Sequence, residues 1–241
     1  MTSQASPSPS SNWSGAILTA LLALVFGFLG AAAWSYAGLA DNRTRSYLID
    51  NPTVLEEVAE SLALEQARER LSSLGDELYE PFPGAVIGNP EGSRVLVEFT
   101  DYNCPYCEAS LADIQRLVDE DPNLKVVMRE WPIFQGSEDA ARMALAAGIQ
   151  GKYREFHEAM FRQGPASPAT VEAAAREIGL DMERAREDAA SEAVSIELVR
   201  NLTFAQSLGF SGTPAFVAEQ TPLAGAVGYD RLREALDAAG G

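Results

Sequence analysis

Cysteine and histidine are nearly missing from this 241-residue chain, which has two of the first and one of the second. Two cysteines cannot build the multi-bridge frame of a small disulfide-stapled secreted domain. They also fill only half of a tetrahedral zinc shell, and no second pair exists to complete it. Positive charge is scarce too: 18 Lys and Arg stand against 35 Asp and Glu, a formal charge of −17. Phosphate backbones need a basic face, so nucleic acid is excluded as a partner. Charged side chains of either sign are absent as far as Ala40.

That uncharged stretch has two parts. Residues 1–14 are rich in Ser and Pro and read as a disordered tail. From Gly15 to Ala33 the chain is nearly all apolar, with Thr19 its only polar residue. About 20 apolar residues cross a bilayer as a helix, whereas a signal-peptide core usually runs about 7–15. Trp13, Trp34 and Tyr36 fall where interfacial aromatics belong. Residues 15–36 therefore read as a single-pass signal anchor, although Gly38-Leu39-Ala40 resembles a small-residue cleavage site. The tail has no Lys or Arg, so flanking charge does not set the orientation.

Residues 41–81 read as a helical arm. Asn51-Pro52 is an N-cap followed by Pro at the first helical position. Val54, Leu55, Val58, Leu62, Leu64 and Leu71 then recur at helical spacing. This apolar face either packs on its own domain or joins chains into a homo-oligomer through residues 42–74. The turn-rich Tyr79–Gly84 marks a boundary, and residues 82–241 form the next domain. Arg94–Thr100 is a buried strand, an amphipathic helix follows it, and Leu124–Trp131 is a second strand. Residues 137–208 are helical, with breaks at Gly148–Gly151, Gln163–Pro168 and Gly179. So much helix is a subdomain and not a loop. Strand signals return at Ala215–Val217, with a turn before Leu223, and Tyr229–Ala239 closes the chain as a helix. The order predicts an α/β fold with a helical insertion.

Both cysteines fall in one motif, Cys104-Pro105-Tyr106-Cys107, at the strand-to-helix junction. A sulfur there faces unpaired backbone N–H groups and the positive end of the helix dipole, which favour thiolate. Cys104 is thus the expected nucleophile and Cys107, one turn on, the resolving thiol. Pro105 lacks an N–H that the first turn leaves unpaired anyway. This chemistry needs no cofactor and no resident metal. The alternative, a copper or zinc carrier using the same pair, needs ligands from a second subunit, and His157 reads as a packed or surface helix residue. Glu98 interrupts an apolar strand six positions before Cys104, where a buried carboxyl with a raised pKa is placed to take the Cys107 proton.

Three separated runs carry a resemblance: Leu96–Cys107, Gly151–His157, and Gly212–Val217 followed by Gly225-Ala226. They look like a DsbA-family domain, a thioredoxin-like fold with an inserted helical subdomain. The resemblance implies a protein disulfide oxidoreductase, oxidase or isomerase, acting on exported proteins that carry cysteines. It implies that Pro214 is a cis-proline facing the disulfide and that the Thr213 backbone pairs with client peptide. Pro105 and Tyr106 then belong to the client-facing surface. Glu98 matches the family's buried acid. The arm is similar to that of the branch containing the copper-sensitivity suppressor ScsC, some members of which oligomerise and shuffle disulfides. DsbA itself has His between the cysteines and Val before the cis-proline. Tyr106 and Thr213 are closer to isomerase or reductase-like members. The implied setting is the bacterial inner membrane, with a single pass, the catalytic domain in the periplasm and a membrane redox partner.

Overall fold

The computed structural model describes residues 13–36 and 39–238. The expected tail, apart from Trp13 and Ser14, lies outside the described residues, as does Gly38 of the cleavage-like site. The chain divides into two compact units, one reaching to Ser61 and the other from Leu62 onward.

The first unit holds α1 (Trp13–Tyr36), α2 (Leu39–Asp50) and the start of α3 (Pro52–Leu74). Within α1, Ile17–Trp34 has a mean hydropathy of 2.2, long and apolar enough to cross a membrane by length and composition. Its apolar side chains, Leu24, Phe26 and Phe28 among them, point outward. Thr19, the polar exception, donates its hydroxyl to the Gly15 carbonyl at 2.8 Å, so it adds no unsatisfied group to the helix surface. Pro52 opens α3 as expected, while the Asn51 amide turns back to the Tyr47 carbonyl at 2.9 Å.

The second unit contains a five-stranded sheet in the order β1-β3-β2-β4-β5. Its strands are β1 (Val86–Gly88), β2 (Arg94–Thr100), β3 (Leu124–Glu130), β4 (Ala215–Ala218) and β5 (Thr221–Ala224). β2 and β3 are parallel, joined through α4 (Pro105–Glu120), and the other pairs are antiparallel. Between β3 and β4 run α5 (Glu138–Ile149), α6 (Tyr153–Arg162), α7 (Pro168–Glu177), α8 (Met182–Ala189) and α9 (Glu192–Leu208). The closing helix is α10 (Tyr229–Ala238). Two features escaped the sequence reading. β1 is too short to show a period, and the break between α8 and α9 carries no Gly or Pro; Ser191 caps α9 instead, accepting from the Val194 N–H.

Both sheet faces are buried, which explains the nearly continuous apolar runs. On one face Leu96, Val126, Met128 and Phe216 pack with Cys107, Ile114 and the helical insertion. On the other, Val97, Phe99, Val127 and Val217 pack with Leu71, Leu78, Phe204 and Leu208. The last turns of α3 thus complete the core of this unit, which begins at Leu62 and so ahead of Phe82. Leu55, Val58 and Leu62 stay exposed. At the loop into β1, Gly84 (φ +75°) lies so close to the Gly148 backbone that no side chain fits between α5 and this turn.

Candidate active site

Where β2 ends, the chain turns through residues 101–103 and starts α4. Cys104 is the N-cap, with extended backbone (φ −91°, ψ 113°), and Pro105 occupies the first turn. The Cys104 carbonyl accepts from the N–H groups of Cys107 (3.1 Å) and Glu108 (3.2 Å), bringing the second cysteine back over the first. Both are buried thiols, whereas Pro105 and Tyr106 face solvent, Tyr106 at 64% exposure.

The sheet delivers the third part. β4 runs antiparallel to β2 with Ala215 opposite Phe99, so the residues just before β4 lie beside the end of β2. The Thr213–Pro214 peptide bond there is cis. The Cys104 thiol donates to the Thr213 carbonyl at 3.1 Å. The structure therefore brings Cys104, Cys107, Thr213 and Pro214 together.

Glu98 lies on the sheet face that carries Leu96 and packs against α4, and is 2% exposed. Burial pushes its carboxyl up to about 8. It lines a cavity of about 380 Å³ with Ile114, Gln115, Arg154, His157 and Glu158. The Cys107 thiol is pushed far up, first by burial and then by the Glu98 charge; the Asp101 backbone and the Thr213 hydroxyl pull it partly back. A charged Glu98 and a Cys107 thiolate oppose one another, so ionising both at once is disfavoured.

A second buried acid went unread in the sequence. Glu130, at the end of β3, accepts from the hydroxyls of Tyr102 (3.1 Å) and Tyr153 (2.6 Å). Burial raises its carboxyl to about 8 as well. The Tyr102 hydroxyl also meets His157 Nδ1 at 3.0 Å, and burial lowers His157 to about 3, leaving it neutral. His157 is thus a packed helix residue, ringed by Tyr102, Tyr153 and Phe161. Unlike Glu98, Glu130 sits beside Arg129 in a strand that also carries Lys125, so no isolated charge marked it in the sequence. Among the described residues no group of three or more His, Cys, Asp or Glu side chains converges as a metal site.

Residues 95–237 match the DSBA-like thioredoxin domain. The chain belongs to the DsbA-like family. The matched domain is accordingly one of the disulfide oxidoreductase domains of the thioredoxin superfamily. A thioredoxin-like oxidoreductase from Silicibacter pomeroyi is 46% identical, with a TM-score of 0.65 over 68% of this chain and 96% of that one. The catalytic domain of Proteus mirabilis ScsC is 28% identical, with a TM-score of 0.62 over 71% of this chain and 97% of that one. BcfH from Salmonella enterica Typhimurium is 25% identical, with a TM-score of 0.66 over 89% of this DsbA-like chain and 100% of that one. Among curated proteins, a Na(+)/H(+) antiporter NhaA 1 from Salinispora arenicola is 29% identical over 66% of this chain. The chain spans about a quarter of that relative's length.

Proposed function

We propose that this DsbA-like chain is a membrane-tethered periplasmic enzyme that forms or shuffles disulfides in exported proteins through Cys104 and Cys107. The observation that carries the reading is the thiol pair at the start of α4, set against the cis Thr213–Pro214 turn. In the oxidising direction a client thiolate attacks Cys104 Sγ of the Cys104–Cys107 disulfide. The Cys104–Cys107 bond breaks, a mixed disulfide forms, and Cys107 leaves as thiolate. Glu98 gives that sulfur a proton. A second client thiolate then attacks its own partner sulfur in the mixed disulfide. The client leaves with a disulfide, Cys104 leaves as thiolate, and two electrons have passed to the enzyme. Run backwards, Cys104 attacks a client disulfide and Glu98 takes the Cys107 proton as Cys107 resolves the intermediate.

Helix α1 supports a tether, and disulfide exchange of this kind belongs outside the reducing cytoplasm. A membrane redox partner then reoxidises the dithiol. The exposed Leu55, Val58 and Leu62 support assembly through residues 42–74, which favours shuffling over simple oxidation. The Thr213 backbone, Pro105 and Tyr106 form the client-facing surface.

The test is trapping. The full chain carrying Cys107→Ala is expected to accumulate a Cys104-linked mixed disulfide with exported proteins, and Cys104→Ala to accumulate none. After reduction with dithiothreitol and its removal, a membrane-impermeant maleimide should label Cys104 without lysis of the inner membrane. Labelling only after lysis refutes the periplasmic placement, and equal trapping by both variants refutes the assigned roles.

A further inference from the structure

Three segments distant in sequence meet around Cys104, and two side chains fasten them. Because β2 lies between β3 and β4, the turn bearing Cys104 is flanked by the Thr213–Pro214 turn on one side. On the other is the loop leaving β3, residues 131–137. Asp101, 1% exposed, spends its carboxylate on that loop. Its Oδ2 accepts from the backbone N–H of Ile133 (2.6 Å) and Phe134 (2.9 Å). Its Oδ1 accepts from the Ser137 hydroxyl (2.5 Å) and from the Asn103 N–H (2.7 Å).

Asn103 continues the lacing. Its Nδ2 donates to the Gln135 carbonyl at 3.0 Å, and its Oδ1 accepts from the Ala166 N–H at 2.7 Å, in the loop before α7. Gly136, held at φ +87° beside the Asn103 amide, allows the 131–137 loop to bend back onto it. The result is a groove of about 170 Å³ walled by Asn103, Cys104, Pro105, Phe161, Gly164 and Pro165. Ile133 (42% exposed) and Phe134 (45%) stand out from the loop that Asp101 holds. None of these bonds reaches a sulfur, so as a group they shape the surroundings of the nucleophile.

We propose that Asp101 and Asn103 are positioning residues that hold the 163–167 loop as a wall of this groove, and the 131–137 loop with its exposed Ile133 and Phe134 as a flank of the same turn, for an extended polypeptide segment presenting its cysteine to Cys104. The occupant is the client chain itself, because the groove they shape ends on Cys104. This deepens the oxidoreductase reading and rests on it. A small thiol needs only Cys104, whereas a polypeptide needs the walls as well. Losing the frame therefore penalises the polypeptide selectively.

The experiment uses the oxidised full chain in detergent, with reduced glutathione and with a reduced, unfolded polypeptide as substrates. Asn103→Ala, which removes both side-chain bonds, is expected to raise the polypeptide KM with little change in kcat. Its polypeptide kcat/KM should fall about tenfold further than its glutathione rate, the scale of one or two lost hydrogen bonds. Asn103→Asp retains the acceptor for Ala166 and should recover part of the loss. Phe134→Ser alters the exposed flank without removing a side-chain bond of the frame, so it tests the same idea if Asn103→Ala folds poorly, and should raise the polypeptide KM too. A parallel fall of both rates in Asn103→Ala, or an unchanged polypeptide KM in both Asn103→Ala and Phe134→Ser, overturns the proposal. Wild-type protein that exchanges with neither substrate overturns the oxidoreductase reading first, and this inference with it.

Discussion

Replacing Glu98 by Gln tests the buried acid through stability as well as rate. Gln keeps the outline of a protonated carboxyl and cannot ionise. In the folded protein burial lifts Glu98 from its ordinary 4.5 to about 8. The folded state therefore holds a proton over that interval that the unfolded state releases. With the folded pKa above the unfolded one, the stabilising contribution is complete below pH 4.5 and is lost as pH rises towards 8. At about 1.36 kcal/mol for each pH unit, ionising Glu98 costs the fold roughly 3 kcal/mol at pH 7 and about 5 kcal/mol well above pH 8. Glu98→Gln should match wild type at pH 4 to 5 and become progressively more stable than it up to pH 9. Glu130, lifted to about 8 by the same cause, keeps titrating in the variant, so the pH slope should shrink by about half and not vanish. The assay is denaturant unfolding of the reduced full chain in detergent, repeated across this pH range. The same variant should slow the Cys107 step by about 10²-fold or more, the low end for a positioned proton carrier. Stability curves that run parallel from pH 5 to 9 would show Glu98 already ionised in the fold and would remove it from the proton step.

The opposite sheet face carries three further outcomes. Arg129 is fully buried and bonds Glu197 at 2.6 Å and the carbonyls of Glu77, Leu78 and Glu80 at 2.7–2.9 Å. Arg129→Leu takes from Glu197 its 2.6 Å partner, leaving only Arg200 at 3.6 Å, and removes a donor from three carbonyls, and should cost about 3–5 kcal/mol in denaturant unfolding. The double change with Glu197→Leu should recover only part of this, since the three carbonyls still lack Arg129, and a double variant no better than the single one refutes the pairing. Leu78 is 0% exposed beneath β2 and β3. Leu78→Ala should cost about 2–5 kcal/mol, and a catalytic unit cut at Phe82, which lacks Leu71 and Leu78 altogether, should unfold at lower denaturant than one cut at Leu62. Equal midpoints for the two pieces would show that the end of α3 adds nothing to the core.

How much of this was legible in the sequence depended on whether each contact is local. The Cys104–Cys107 turn is set by neighbours in the chain: a strand, a proline at the first helical position and a helix dipole act within a few residues. The order of strands and helices, including the insertion from Glu138 to Leu208, is a matter of period and could be read in the same way. Glu98 is legible because a lone acid among apolar strand residues is costly; Glu130 follows Arg129 in a strand that also carries Lys125, and its partners Tyr102 and Tyr153 come from two other segments, so only the fold identifies it. Asp101 shows the limit most clearly. Between a strand and a helix it reads as an ordinary turn residue, yet its carboxylate meets Ile133, Phe134 and Ser137 across more than 30 positions of chain. Arg129 is similar: its position in β3 marks it as costly to bury, but not that Glu197 and three carbonyls wait for it. A buried polar residue announces in sequence that a partner must exist, because burial without one costs a few kcal/mol. It does not say where that partner lies. In this chain the reactive sulfurs are positioned locally, whereas the walls and the proton store around them are held by such distant pairings. Substitutions at Asp101, Asn103, Glu130 and Arg129 should therefore alter client choice, pH response and stability while the CPYC motif stays intact.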